Sequence, residues 1–173
     1  MKKCSRGFSL IELLIVVAII LIIAAIAIPN LLRSRIAANQ ASAVGSLRTL
    51  NTAEVTYATT YNTGYSSTLG DLGPATAGGT PVATAAGLVD EVLSGVSGTA
   101  GGPTATTSTK SGYQFTYSPG GTDTSGKINT YSFTATPISV GTTGTNFYFT
   151  DQSGVIRQNS TAVAGSTDSP LAG

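Results

Sequence analysis

The sequence predicts an α+β protein in which one long N-terminal helix packs on a small antiparallel sheet. Residues 8–28 form an almost unbroken apolar run, and apolar residues then recur at intervals close to 3.6 as far as about residue 62. After residue 111, aromatic residues alternate with polar ones. The first two patterns are typical of a helix whose surroundings change along its length, and the third is typical of half-buried strands.

The apolar run is long enough to cross a bilayer as a helix. At a rise of about 1.5 Å per residue, residues 8–28 span roughly 30 Å, the thickness of the hydrocarbon core. Only Ser9 and Glu12 interrupt the run. A helix that is apolar on every side is surrounded either by lipid or by other protein. A simple membrane anchor and a helix bundled with its neighbours are therefore both open.

The composition argues against several classes of function. The chain has no histidine, and its one cysteine is Cys4, which excludes Ser-His-Asp and Cys-His catalysis and a disulfide within the rest of the chain. Without Lys2, Lys3 and Arg6, six basic side chains stand against eight acidic ones. We therefore expect no catalytic residue, no metal site, no cofactor and no bulk electrostatic binding of nucleic acid.

The residues around Gly7 carry a specific motif. A short basic segment, MKKCSRG, ends at Gly7, and Phe8 follows it, with Glu12 at the fifth position after the glycine. This order, continued by the apolar run and Pro29, resembles the N-terminus of type IV pilins and of the pseudopilins of type II secretion. The short basic segment and the phenylalanine resemble the type IVa class, and the resemblance extends over about residues 5–35.

The resemblance implies a processing route, a location and a set of partners. A prepilin peptidase and methyltransferase of the membrane would cut after Gly7 and methylate the new N-terminus at Phe8. The chain would first span the bacterial inner membrane, in contact with lipid and with its head outside the cytoplasm. At an inner-membrane assembly platform it would then join a homo-oligomeric helical filament. That filament would be an extracellular pilus or, as the alternative, the periplasmic pseudopilus of a type II secretion system.

Glu12 is the ionisable residue of the apolar run. On a helix that begins at Phe8, residues 8 and 12 are i, i+4 neighbours, so a free amine at Phe8 and the Glu12 carboxylate can neutralise each other. The resemblance implies that the pairing can instead join two chains. Burying Glu12 without a partner costs several kcal/mol, which would make it a device that sets the register of assembly. A carboxylate that lies at the headgroup level without a role is the alternative reading.

The helix is predicted to continue past the apolar run to about residue 62. Pro29 lacks a backbone donor, so we expect a bend near it. Arg48 and Glu54 lie mostly off the apolar stripe of this second half, which is predicted to cover the sheet. The stripe consists of Ile36, Ala43, Val44, Leu47, Leu50, Ala53, Tyr57 and Tyr61.

The remainder of the chain is predicted to be a head rich in Gly, Thr and Ser. We expect a short helix at 85–93, a mobile loop at 99–109 and a frayed tail at 160–173. The predicted strands lie at about 111–118, 129–136, 146–151 and 154–158, which makes a sheet of three or four strands. The predicted parts of the chain are a cleaved leader at 1–7, a transmembrane and assembly half of the helix at 8–30, an amphipathic half at 31–62, and the head at 63–173.

These patterns favour a filament subunit that works by assembly rather than by catalysis. A distant alternative is a signal-anchored binding domain that never polymerises. The two differ in the N-terminus of the native protein, which would be Phe8 in the first case and Met1 in the second.

Overall fold

The helix predicted for residues 8–62 is confirmed. The computed structural model describes residues 8–75, 79–96 and 104–171. Helix α1, Leu10–Tyr61, has 52 residues and is continuous through Pro29. The chain divides into two compact units, Met1–Arg35 and Ile36–Gly173, and α1 contributes to both. The bend near Pro29 stays a prediction.

The second unit contains an antiparallel sheet of five strands. Its strands follow one another in chain order as a meander, so each strand pairs with the next along the chain. The strands are β1 (Thr107–Lys110), β2 (Tyr113–Pro119), β3 (Tyr131–Pro137), β4 (Phe147–Asp151) and β5 (Arg157–Asn159). A 3-10 turn at Gly70–Leu72 and a short helix α2 at Glu91–Ser94 precede the sheet.

The prediction of three or four strands was wrong by one, because β1 lies within residues assigned to a mobile loop. Of that loop, residues 99–103 fall outside the described residues, whereas Thr107–Lys110 pair with β2. Ser111 and Gly112 have φ values of 50° and 74° and form the two-residue turn between these strands. The sequence TSTK lacks the apolar alternation that marks a half-buried strand. An edge strand can be polar in this way because only one of its sides is paired.

The tail predicted to fray is instead packed as far as Leu171. The Leu171 amide donates to the Ile156 carbonyl at 2.8 Å, and the Gln158 amide donates to the Ser169 carbonyl at 3.0 Å. Ala164 is buried. The segment therefore extends the sheet beyond β5 by backbone hydrogen bonds, which its small and polar residues did not indicate.

The short helix predicted for residues 85–93 is shorter in the structure, where α2 covers Glu91–Ser94. Residues 86–89 are not helical and lie beside the 3-10 turn, where the Ala86 amide donates to the Asp71 carbonyl and the Leu88 amide to the Leu72 carbonyl. The helix begins only after Asp90, whose side chain accepts a hydrogen bond from the Leu93 amide at 2.6 Å. Asp90 is thus an N-cap, and Gly95, in the left-handed conformation, is the C-cap.

The core lies between the predicted stripe of α1 and the aromatic face of the sheet, as expected. Ala43, Leu47, Leu50 and Tyr57 are buried against this face. The sheet supplies Tyr113, Phe115, Tyr117, Tyr131, Phe133 and Tyr148. Aromatic pairs such as Tyr117–Phe133, with ring centroids 4.9 Å apart, fill the space between the layers.

Glu54 was predicted to lie off the stripe, but it is fully buried. Its carboxylate accepts hydrogen bonds from the Ser66 hydroxyl at 2.6 Å and from the Ser66 amide at 3.0 Å. Tyr117 donates its hydroxyl to the Ser66 carbonyl at 2.6 Å. Ser66 therefore takes part in three hydrogen bonds, which attach the segment after α1 to both the helix and the sheet. Burial raises the pKa of the Glu54 carboxyl, and the nearby Asp71 acts in the same direction.

Candidate functional site

The N-terminus of α1 is built around Ser9 and Glu12. Ser9 precedes the first helical residue, and its carbonyl accepts a hydrogen bond from the Leu13 amide at 3.2 Å. The Glu12 carboxylate reaches back to the Ser9 amide at 2.8 Å. This is the glutamate half of a capping box, in which the third helical residue satisfies a backbone donor of the cap. The spacing S-x-x-E signals this motif in the sequence, and our sequence reasoning missed it.

The capping bond gives Glu12 a partner within its own chain. The carboxylate also lies in the first turn of α1, where the helix dipole favours a negative charge. Both effects lower the cost of holding a carboxylate at the beginning of an apolar segment. In the unprocessed chain the nitrogen of Phe8 is a peptide nitrogen, so a pairing of Glu12 with a Phe8 amine stays a prediction for the processed form.

The apolar segment exposes its side chains all around the helix. Among the described residues, α1 is the one helix long and apolar enough to cross a bilayer, and none of its most apolar window is buried. Phe8 is 76% exposed and Leu10 is 80% exposed, and large side chains as far as Leu32 are also exposed. A soluble monomer rarely presents an apolar surface of this extent, so this surface needs lipid or protein around it.

The predicted site residues occupy separate positions along this helix. Gly7 lies outside the described residues. Phe8 precedes the helix and Glu12 lies in its first turn, while Pro29 lies inside it. Beyond Pro29, the Ser34 hydroxyl donates to the Asn30 carbonyl at 3.1 Å.

Most acids of the second unit are engaged in structural hydrogen bonds. Asp71 accepts from the Ser67 and Thr68 amides, and Asp151 accepts from the Ser153 amide in the turn before β5. Asp168 accepts from the Asn159 side chain and from the Gly165 amide. These carboxylates serve as acceptors that hold loops in place.

Asp123 and Asp90 are structural acids at the surface. At Asp123, hydrogen bonds from the Ser125 hydroxyl and then the Lys127 amide lower the pKa of the carboxyl to about 2. Asp90 pairs with Lys110, whose ammonium lies 2.7 Å from its carboxylate and lowers the pKa of that carboxyl. Within the described ranges, no group of three or more His, Cys, Asp or Glu side chains is placed to hold a metal ion.

Comparison with known proteins assigns the N-terminal segment. Residues 2–28 match the family model described as the prokaryotic N-terminal methylation motif. The N-terminal segment therefore carries this methylation motif. The chain is also 51% identical over 53 residues to the type IV major pilin protein PilA of Myxococcus xanthus (strain DK1622).

This similarity covers 31% of the chain and 24% of the Myxococcus protein, so the match spans about a quarter of the length of this curated relative. No solved structure matches the chain. The α+β layout, a long N-terminal helix packed on an antiparallel sheet, is pilin-like, as the sequence predicts.

Proposed function

We propose that this chain is the structural subunit of a type IV pilus-like filament. The observation that carries the proposal is the apolar, fully exposed N-terminal segment with one acid, Glu12, at the fifth position after Gly7. The segment is surrounded by lipid in the inner membrane before assembly and by the same segment of other copies afterwards. In the filament, neighbouring apolar helices cover the same surface that lipid covers in the membrane.

Processing releases the subunit for assembly. A prepilin peptidase cuts after Gly7, removes the basic leader and methylates the amine of Phe8. An inner-membrane assembly platform then extracts the mature chain. The amine created at Phe8 supplies a positive charge for Glu12 of the same or of a neighbouring copy, and an apolar surround strengthens this attraction. Glu12 therefore fixes the axial position at which a new subunit docks.

A pseudopilin of a type II secretion system is the second candidate function. The absence of a second cysteine favours it, because many pilins close a loop of the head with a disulfide and this chain has only Cys4, within the leader. The helix and Glu12 have the same roles in both filaments. The two candidates differ in where the filament ends, outside the cell or within the periplasm.

Electron microscopy of sheared surface material separates these candidates. We expect the native cell to carry surface filaments that label with an antibody against the head and that disappear when the gene for this chain is deleted. Filaments present only when the chain is overproduced, together with loss of a secreted protein on deletion, would assign the pseudopilin role instead. A labelled chain confined to the membrane, with neither phenotype, contradicts both candidates.

A further inference from the structure

One side of the second unit carries an open apolar groove. A cleft of about 400 Å³ lies between α1 and the end of the sheet, where Val44 and Gly45 of the helix face Tyr148 and Leu171. A second cleft adjoins it and shares Arg48 and Leu171. We call this surface the Arg48 groove. All of its residues belong to the second unit, so the groove is a feature of that unit by itself.

Gly45 leaves the floor of the groove without a side chain, and no contact within the single chain requires a glycine there. A Cβ atom placed on Gly45 would meet nothing within 4 Å. Glycine in a helix interior costs about 1 kcal/mol relative to alanine, so a glycine that no neighbour requires carries a cost without a gain inside the chain. The open space above it admits the close approach of a second molecule.

Arg48 is an unpaired charge at this groove. Lys110 pairs with Asp90 at 2.7 Å, Lys127 donates to the Asn62 side chain at 3.3 Å, and Arg157 donates to the Asp168 carbonyl at 2.9 Å. Arg48 is exposed. Of the basic residues described between 36 and 171, it is the one for which the structure contains no hydrogen bond or ion pair.

Glu91 is the unpaired acid of the same unit. The other carboxylates described between residues 36 and 171 each accept at least one hydrogen bond, whereas the structure gives the Glu91 side chain no partner. Glu91 is exposed at the start of α2, and Val92 beside it is 51% exposed. We call these two residues the α2 ridge. The ridge offers an apolar side chain and a negative charge, which complement the apolar floor and positive charge of the groove.

The groove and the ridge lie at opposite edges of the sheet. Helix α2 contacts β1, the first strand of the meander, whereas the groove lies beside β4 and the segment that follows β5. Four strand spacings of about 4.8 Å separate the first and the last strand. When a surface of one copy binds a different surface, on the opposite edge, of a second copy, the contact is heterologous. Such a contact repeats without closing and produces a helical polymer.

We propose that the Arg48 groove of one copy receives the α2 ridge of a second copy, with Arg48 of the first paired to Glu91 of the second. The inference rests on the proposed function, since it assigns the contact through which the heads of neighbouring subunits meet in the filament. The apolar helices supply the bulk of the association. The contact between heads selects their lateral arrangement through charge complementarity.

The test is a charge swap in the full chain, read as the amount of subunit in sheared filaments. Arg48→Glu and Glu91→Arg each place like charges together, so each should lower the yield about tenfold or more. The double variant R48E/E91R restores the opposite charges and should return the yield to within about threefold of wild type. Arg48→Lys, which keeps the charge, is the matched control and should assemble normally.

Gly45→Leu gives a second reading that does not depend on charge. Its side chain starts in open space, so thermal unfolding of the detergent-solubilised chain should occur at the wild-type temperature or above, while the yield of filaments falls. Wild-type yield from both single charge variants, or loss in both without rescue in the double variant, overturns the pairing. If wild-type cells lack filaments altogether, it is the proposed function that fails.

Discussion

Replacing Glu12 with alanine should leave the subunit in the membrane and abolish its assembly into filaments. The apolar segment still partitions into lipid, because removal of a carboxylate makes insertion more favourable, by up to about 3 kcal/mol. Assembly, in contrast, loses the charge that meets the Phe8 amine, and removing one partner of a buried pair costs about 3–5 kcal/mol. Immunoblots of the membrane and sheared fractions should therefore show an unchanged membrane pool and a loss of about a hundredfold or more from the filament.

Glu12→Gln separates the helix cap, which the structure shows, from the charge pairing that we propose for this side chain. Glutamine retains an oxygen that accepts the hydrogen bond from the Ser9 amide, so the helix cap persists, but it carries no charge. We expect this variant to fail in assembly almost as completely as alanine does. Filaments at the wild-type level from the alanine variant would contradict the proposal that Glu12 sets the register of assembly. Normal assembly of the glutamine variant alone would assign the role to the cap rather than to the charge.

Glu54→Ala should have the largest effect on the stability of the head. It removes both acceptors of Ser66, whose amide and hydroxyl would be left without their partner in a site where Glu54 and Ser66 are fully buried. An unsatisfied buried donor costs about 1–3 kcal/mol, and the cavity adds to this, so we expect a loss of about 3 kcal/mol in the free energy of unfolding. Urea unfolding of the detergent-solubilised chain, followed by the near-UV signal of the tyrosines, measures it.

Glu54→Gln should reveal the protonation of this carboxyl. Burial raises its pKa in the folded chain above the ordinary value of 4.5, with Asp71 as a further raising influence, while the hydrogen bonds from Ser66 oppose the shift. The folded state therefore binds the proton more tightly than the unfolded state does. The stability that this group contributes is complete below its unfolded pKa and is lost as the pH rises through the folded pKa.

Glutamine resembles the protonated carboxyl at every pH and does not undergo this loss. The difference in unfolding free energy between the Glu54→Gln variant and wild type should therefore be small below about pH 4 and should grow as the pH rises towards neutrality, in favour of the variant. Ser66→Ala, which removes the hydroxyl that stabilises the carboxylate, should steepen the pH dependence of the wild-type side chain. A difference that stays constant from acid to neutral pH would show that Glu54 keeps its ordinary pKa.

The sequence was informative where one local pattern decides the structure. The apolar run and the aromatic alternation of β2, β3 and β4 predicted the helix, the core and these three strands with only small errors in the boundaries. The Ser9–Glu12 cap belongs to the same class, since its spacing is local and characteristic.

The features that the sequence did not predict depend on contacts between distant residues. The polar strand β1 forms because it pairs with β2. The segment after residue 160 packs because its backbone forms hydrogen bonds with β5 and with Ile156 just before it. Glu54 is buried because Ser66, in the segment after α1, lies beside it and donates hydrogen bonds to it. The helical period of α1 does not indicate this contact. In the sequence, Arg48 and Glu91 look like any other surface charges. The structure distinguishes them, because it gives a hydrogen-bond or ion-pair partner to each of the other charged side chains described between residues 36 and 171.

The central claim is that the exposed apolar helix is first a membrane span and then the core of a filament made of processed subunits. The intact mass of the chain recovered from sheared filaments tests it most directly. We expect the mass of residues 8–173 with one added methyl group, placed on Phe8 by fragmentation of the N-terminal peptide. A chain that still begins at Met1 and is recovered only from the membrane would contradict it.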